Sequence, residues 1–235
     1  QCALTVERKM PDLDFACVSD NRVWGCRYAA DESGEFINEI YASKLGDPKN
    51  WSVFDGLASD SYTVSIGTEG AWTGCITYQG YPTFFKENAI YRIFGKMPSE
   101  YQLNTLDCRG VQAGSERSIA ICGEYLLYKS VSDVCIFDGS TPVSISDALG
   151  KLTQYYQAAA GVSLGKYHIS MMNSDNEHAC LVWDMGKNLW MKESGERILQ
   201  YSNERSGRMY GTDGTKVHSY GLRDNGPFYD VSPDE

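Results

Sequence analysis

The feature that most constrains this chain is a repeat. Short apolar strands ending in a turn recur at residues 39–43 (EIYAS), 89–93 (AIYRI), 134–138 (VCIFD), 179–183 (ACLVW) and 216–220 (KVHSY), their first residues 50, 45, 45 and 37 positions apart. A period of roughly 40–50 residues with several strands in each is the mark of a propeller blade, a unit that cannot bury its apolar faces alone and stacks on its neighbours. A turn rich in Gly, Asp, Asn or Pro follows each of these strands, and such residues supply the positive or preset φ that a tight reversal needs. A further strand then begins each time, at 51–54 (WSVF), 101–103 (YQL), 143–145 (VSI), 189–191 (LWM) and 228–230 (FYD), and is read as the outer strand.

Two more strands precede each repeated one. They are 15–18 and 22–26, then 74–78 and 82–85, 119–122 and 125–128, 162–164 and 167–171, and 198–201 and 208–211. The sequence therefore predicts an all-β fold: a β-propeller of about five four-stranded blades with one short helical insertion. It forms a single domain over 1–235, with blades at roughly 13–54, 71–106, 117–146, 160–193 and 197–230. The insertion is placed at 147–157, where Leu149, Leu152 and Tyr156 fall at helical spacing. An additional strand is expected at 62–66, and 3–6 is read as a strand that completes the last blade and closes the ring. The chain begins with Gln1 rather than Met and is read as a piece of a longer protein.

Composition narrows the partners. A formal net charge of −10 repels phosphate backbones, so tight nucleic-acid binding is not expected. No apolar run approaches the roughly 18 residues of a membrane span, so no membrane partner is expected either. The eight cysteines carry no CxxC pair and follow the repeat. Cys17, Cys75 and Cys122 take similar places in three first strands, and Cys135 and Cys180 match in two third strands. They are read as reduced packing residues, with a Cys17–Cys26 disulfide as the alternative, and matched positions in separate blades are expected to lie too far apart to bridge.

No catalytic, cofactor-binding or metal-binding residue is assigned, no cofactor is expected, and the binding residues are left unknown. His168 and His218 fall on expected strands and His178 at a turn, and no two have the spacing of metal ligands. Asp12, Asp14, Asp31, Glu32, Asp60, Asp107, Asp133 and Asp184 are the carboxylates a glycosidase could use, but Asp in turns is more simply a cap on local backbone amides. The 175–177 (DNE) and 213–214 (DG) segments are fragments of calcium loops without the ligand count. Trp24, Trp51, Trp72 and Trp190 are read as core, with a sugar-stacking surface as the alternative.

Several stretches carry a family likeness: 21–26 (NRVWGC), 39–51 (EIYASKLGDPKNW), 80–95 (GYPTFFKENAIYRIFG), 133–145 (DVCIFDGSTPVSI) and 179–192 (ACLVWDMGKNLWMK). They resemble the virion-associated propellers of tailed bacteriophages and prophages. The resemblance implies a structural, non-enzymatic protein-interaction module of the tail or head–tail region. It would be made in the bacterial cytoplasm and carried in the virion, and its partners would be other virion proteins or copies of itself in a ring. The competing expectation is a secreted propeller that binds or cleaves carbohydrate.

Overall fold

The computed structural model describes residues 10–30, 34, 36–193, 195–204 and 208–220. The expected strands at 3–6 and 228–230, the 223–227 turn, Cys2, and the Asp31–Glu32 pair lie outside them. The chain divides into two compact units, the first ending at Asp107 and the second beginning at Cys108.

The first unit holds two sheets. Sheet 1 runs β1 (Phe15–Ser19), β2 (Arg22–Ala30), β3 (Phe36–Ala42) and β4 (Tyr62–Ser65), each antiparallel to the next. Sheet 2 repeats the plan with β5 (Gly74–Tyr78), β6 (Tyr81–Lys86), β7 (Ala89–Phe94) and β8 (Gln102–Asp107). The second unit holds three. Sheet 3 is β9 (Ala120–Cys122), β10 (Tyr125–Lys129), β11 (Val134–Phe137) and β12 (Val143–Ser144). Sheet 4 is β13 (Tyr156–Ser163), β14 (Lys166–Met172), β15 (His178–Asp184) and β16 (Leu189–Glu193). Sheet 5 has three described strands, β17 (Gln200–Asn203), β18 (Met209–Thr212) and β19 (Val217–Tyr220). Five consecutive up-and-down sheets of this size make the all-β, β-propeller class that the repeat predicts. The helical insertion reduces to one 3-10 turn, Asp147–Leu149, and Tyr156 already belongs to β13.

Burial explains why the central strands read as near-continuous apolar runs. In β6, β7 and β10 almost every residue is buried, because a middle strand is covered on both faces. The outer strands β8 and β16 hold no fully buried residue, since they are the edges of their sheets. One core joins sheets 1 and 2 through Trp24, Ile40, Trp72, Phe84 and Tyr91. Another joins sheets 3 and 4 through Leu127, Tyr167, Ile169, Met171 and Trp183.

The outer strand of sheet 1 is not where the repeat put it. Residues 51–54 are irregular, and β4 pairs with β3 instead, Tyr41 opposite Thr63 and Ala42 opposite Tyr62. Alternation decides this, because Tyr62 and Val64 both point into the Trp24 core. The 51–54 segment folds back on its own loop, where Val53 O accepts from Ser61 N at 2.9 Å and Trp51 Nε1 donates to Pro48 O at 2.8 Å.

Candidate functional site

In each of the four-stranded sheets the connections after the first and third strands lie at one end and the connection after the second lies at the other. Among the described residues, ten of the fifteen exposed large apolar side chains sit at the first of these ends. Sheet 1 contributes Val18, Leu45, Phe54 and Leu57, and sheet 2 contributes Tyr81. Sheet 3 contributes Ile121, Tyr125 and Val143, and sheet 4 Leu164 and Leu189. Single exposed apolar residues need no explanation, but concentration at one end of several sheets does.

Within each unit these ends coincide. Thr77 Oγ1 donates to Val18 O at 2.6 Å and Ser19 Oγ to Gly80 O at 2.9 Å, so the first hairpins of sheets 1 and 2 lie side by side. In the second unit Cys122 Sγ lies 3.7 Å from Met185 Sδ, which brings the first hairpin of sheet 3 against the last turn of sheet 4.

The local sequence builds these hairpins tightly. Two residues of positive φ close each of three of them, Asp20–Asn21, Gln79–Gly80 and Leu164–Gly165, as the right-handed strand twist requires. Asn, Asp and Gly suit such positions, whereas Leu164 at φ 51° does not. A leucine in the left-handed region, 63% exposed, is held there against both conformational and hydration preference.

The largest apolar extension is the 43–61 connection between β3 and β4, and Arg22 fixes it. This arginine is 1% exposed. Its Nη1 donates to Ser43 O at 2.8 Å and to Asp60 O, and its Nη2 donates to Ala58 O at 2.7 Å. Asp60 stiffens the far side, its Oδ2 accepting from Gly56 N at 2.7 Å and Leu57 N at 3.0 Å. Between the β1–β2 hairpin and this connection lies a shallow, open cleft of about 350 Å³, bounded by Val18, Arg22, Leu45 and Pro48.

The carboxylates named from the sequence are dispersed. Asp14 Oδ2 accepts from Tyr28 N at 2.7 Å, and Asp184 Oδ1 from Lys187 N at 3.1 Å. Asp133 differs from a simple turn cap, because it pairs with Arg109 and accepts from the Ser130 hydroxyl. No group of three His, Cys, Asp or Glu able to hold a metal occurs among the described residues. In the 175–177 segment it is Asn173 Oδ1 that accepts from Asp175 N and Glu177 N, as in an ordinary turn. Trp24, Trp51 and Trp72 are buried, and Trp190 donates to Ile145 O at 2.6 Å, so these four make no open stacking platform. His168 lies on β14 and His218 on β19, while His178 opens β15 rather than sitting in a turn.

Cys17, Cys26, Cys75, Cys122, Cys135 and Cys180 are free thiols. No disulfide joins the matched cysteines Cys17, Cys75 and Cys122 or Cys135 and Cys180, but one matched pair stands close. Cys17 on β1 and Cys75 on β5 share a hydrogen bond, because the first strands of sheets 1 and 2 run alongside each other.

Sequence reasoning missed the buried cations. Lys86 Nζ, at the end of β6, donates to Asn38 Oδ1 at 3.2 Å and Thr68 O at 2.6 Å, and stands 4.6 Å from the Trp72 ring centroid. Lys129, at the end of β10, donates to Gln112 Oε1, Ser130 O and Val131 O. Burial pushes its ammonium down to about 8, against the opposing pull of Asp133. The two lysines close the second strand of consecutive blades, and that coincidence was the available signal.

A polar cluster lies between sheets 4 and 5. His168 Nδ1 is 3.5 Å from Glu193 Oε2, and its ring centroid is 5.5 Å from that of Tyr220, which stands 5.8 Å from Tyr201. Burial first, then the Glu193 charge, pushes the Tyr220 phenol up to about 12. Gly161 and Gly211 let the rings approach, since a Cβ on Gly161 would come 2.7 Å from Tyr201 Cβ and one on Gly211 3.1 Å from the Tyr220 ring.

No family model and no curated protein sequence matches the chain. Solved structures do. Selenomethionine-substituted virginiamycin B lyase from Staphylococcus aureus aligns over 94% of this chain and 84% of its own, at 13% identity and a TM-score of 0.45. A catalytically inactive variant of that enzyme with quinupristin aligns over 93% and 83%, at 12% identity and the same TM-score. At that distance neither a substrate nor a site transfers to this chain. Both neighbours are nonetheless enzymes, and the expectation that the chain is not an enzyme is withdrawn on that finding. The lack of a sequence signature is no ground for excluding turnover. No helix among the described residues is long and apolar enough to cross a membrane.

Proposed function

We propose that the chain is a protein-binding propeller module of a tailed-phage or prophage virion. It docks other virion structural proteins through the ends of its sheets that carry the first and third turns. The observation behind this reading is the concentration of exposed apolar side chains at those ends, with Leu164 held outward at positive φ as its sharpest instance. Loops on a packed β scaffold are where binding residues collect, and large apolar residues kept in water there are favoured by a partner that covers them.

The test has two parts. Quantitative mass spectrometry of purified particles from the phage or prophage that encodes the chain should find it in a fixed number of copies per virion. Assembly of tail or head–tail structures should then fail with Val18→Asp plus Leu164→Asn, while the melting temperature stays within a few degrees of wild type. Absence from the particle refutes the virion setting. Unimpaired assembly by the double variant refutes docking through these sheet ends.

A further inference from the structure

We infer that Cys17 and Cys75 form an oxidation site, closing under peroxide to a disulfide that ties the first strand of sheet 1 to the first strand of sheet 2. Neither thiol takes part in the docking face, so the inference stands apart from the proposed function.

The placement is fixed by the backbone. The Thr77 to Val18 and Ser19 to Gly80 hydrogen bonds lock β1 beside β5, with Cys17 and Cys75 just inside them. Both cysteines pack against the Trp24 and Trp72 core from its edge and stay partly open to solvent. Cys26, the alternative partner that the sequence offered Cys17, sits opposite Phe15 and is fully buried.

The two thiols are also differentiated. The Cys75 S–H donates to Cys17 Sγ, and that bond holds the Cys17 thiol below its ordinary value. Cys75 is raised, because it keeps its proton for that bond and is partly desolvated. Cys17 is thus the attacking sulfur and Cys75 the resolving one. In the first step the Cys17 thiolate attacks a peroxide oxygen, the O–O bond breaks, and Cys17 becomes a sulfenic acid while the other oxygen leaves as water. In the second, Cys75 sulfur attacks the sulfenic sulfur, the S–O bond breaks, and a second water leaves with the Cys75 proton. Two thiols lose two electrons in all, and one peroxide gains them.

The experiment is titration of the reduced protein with hydrogen peroxide, followed by alkylation, non-reducing digestion and mass spectrometry. The expected result is loss of two hydrogens from the intact mass and one linked peptide pair containing Cys17 and Cys75, both reversed by dithiothreitol. Cys75→Ser should stop at a Cys17 sulfenic acid that dimedone traps. Cys17→Ser should leave Cys75 reacting about tenfold or more slowly, as expected when the low-pKa thiol is gone. A Cys17–Cys26 link, a link between any other pair, or peroxide-treated wild type with both thiols still alkylatable would each overturn the inference. So would irreversible over-oxidation of Cys17 with Cys75 left reduced.

Discussion

Replacing Arg22 with alanine should free the 43–61 connection and cost a large part of the stability of sheet 1. The guanidinium serves three carbonyls, and those of Ser43 and Asp60 belong to residues that are themselves almost wholly buried. A hydrogen bond from a charged donor is worth roughly 1.5–3 kcal/mol net, and a buried acceptor left without a donor forfeits that and its hydration too. The Ala58 carbonyl is part-exposed and turns to water, so it adds little. Two buried acceptors at the low end of the range give about 3 kcal/mol, before any contribution from the guanidinium over the Tyr101 ring at 6.0 Å. For a chain of this size, that is a fall of about 6–12 °C in the melting temperature. Arg22→Lys keeps a charge but not the fork, and should recover no more than about a third of the loss. Limited proteolysis locates the effect, because the alanine variant should be cut first within residues 44–61. A melting temperature within about 2 °C of wild type, with an uncut connection, would show that the arginine is not its anchor.

Two further outcomes follow from the second unit. Lys129 is fully buried and its ammonium is pushed down to about 8, so between there and its ordinary value near 10.5 the unfolded chain binds more protons than the folded one. Stability from this group therefore rises with pH across that window, by at most about 3 kcal/mol. Burial raises the Cys135 thiol to about 12 and Tyr128 higher still, and these oppose the lysine above pH 9, so the readout is a difference. Wild type should gain on Lys129→Met in denaturant titrations from pH 8 to 10, and parallel profiles would dismiss the shift. Gly161→Ala places a methyl 2.5 Å from Met209 Sδ and 2.7 Å from Tyr201 Cβ, and should cost about 1–3 kcal/mol by thermal melting. Gly25→Ala meets a single half-buried side chain, Leu13, with Cδ1 at 2.4 Å and Cγ at 2.9 Å, which can turn away as a whole, and should cost less. Equal losses would mean that close approach is not why Gly161 is glycine.

The repeat made the sheets legible because each blade announces itself locally: apolar run, turn, apolar run. Residues 15–18, 74–78 and 179–183 became strands within a residue or two of where the sequence put them. Local signal failed at 51–54, where Trp51-Ser52-Val53-Phe54 has strand composition but β4 holds the only free edge of β3. Composition cannot report which of two candidate strands wins an edge. It could not report the Cys17–Cys75 contact either, since that depends on β1 and β5 from different sheets lying side by side. The tryptophans show the opposite case: the core reading needed only that large rings in strands bury, and Trp24 and Trp72 do.

The exposed apolar ends of the sheets were hidden for a related reason. Val18, Leu45, Leu164 and Leu189 look in sequence like the ends of strand patterns, and only the fold puts them in water at one end of their sheets. The opposite end of two blades is built differently. There Lys86 and Lys129 turn inward and satisfy carbonyls of the neighbouring connections, Thr68 O in one case and Ser130 O and Val131 O in the other. A buried ammonium with several acceptors tolerates little movement, because each lost bond leaves a charge in a dry place. The end that carries the cations is thereby fixed by internal bonds. The end that carries the exposed leucines and valines has apolar surface left over, and in sheet 4 it keeps Leu164 in a backbone conformation that asparagine or glycine would fill at lower cost. Selection for stability alone favours the reverse choice at that residue, and the proposed docking role is the reading that Leu164→Asn tests there.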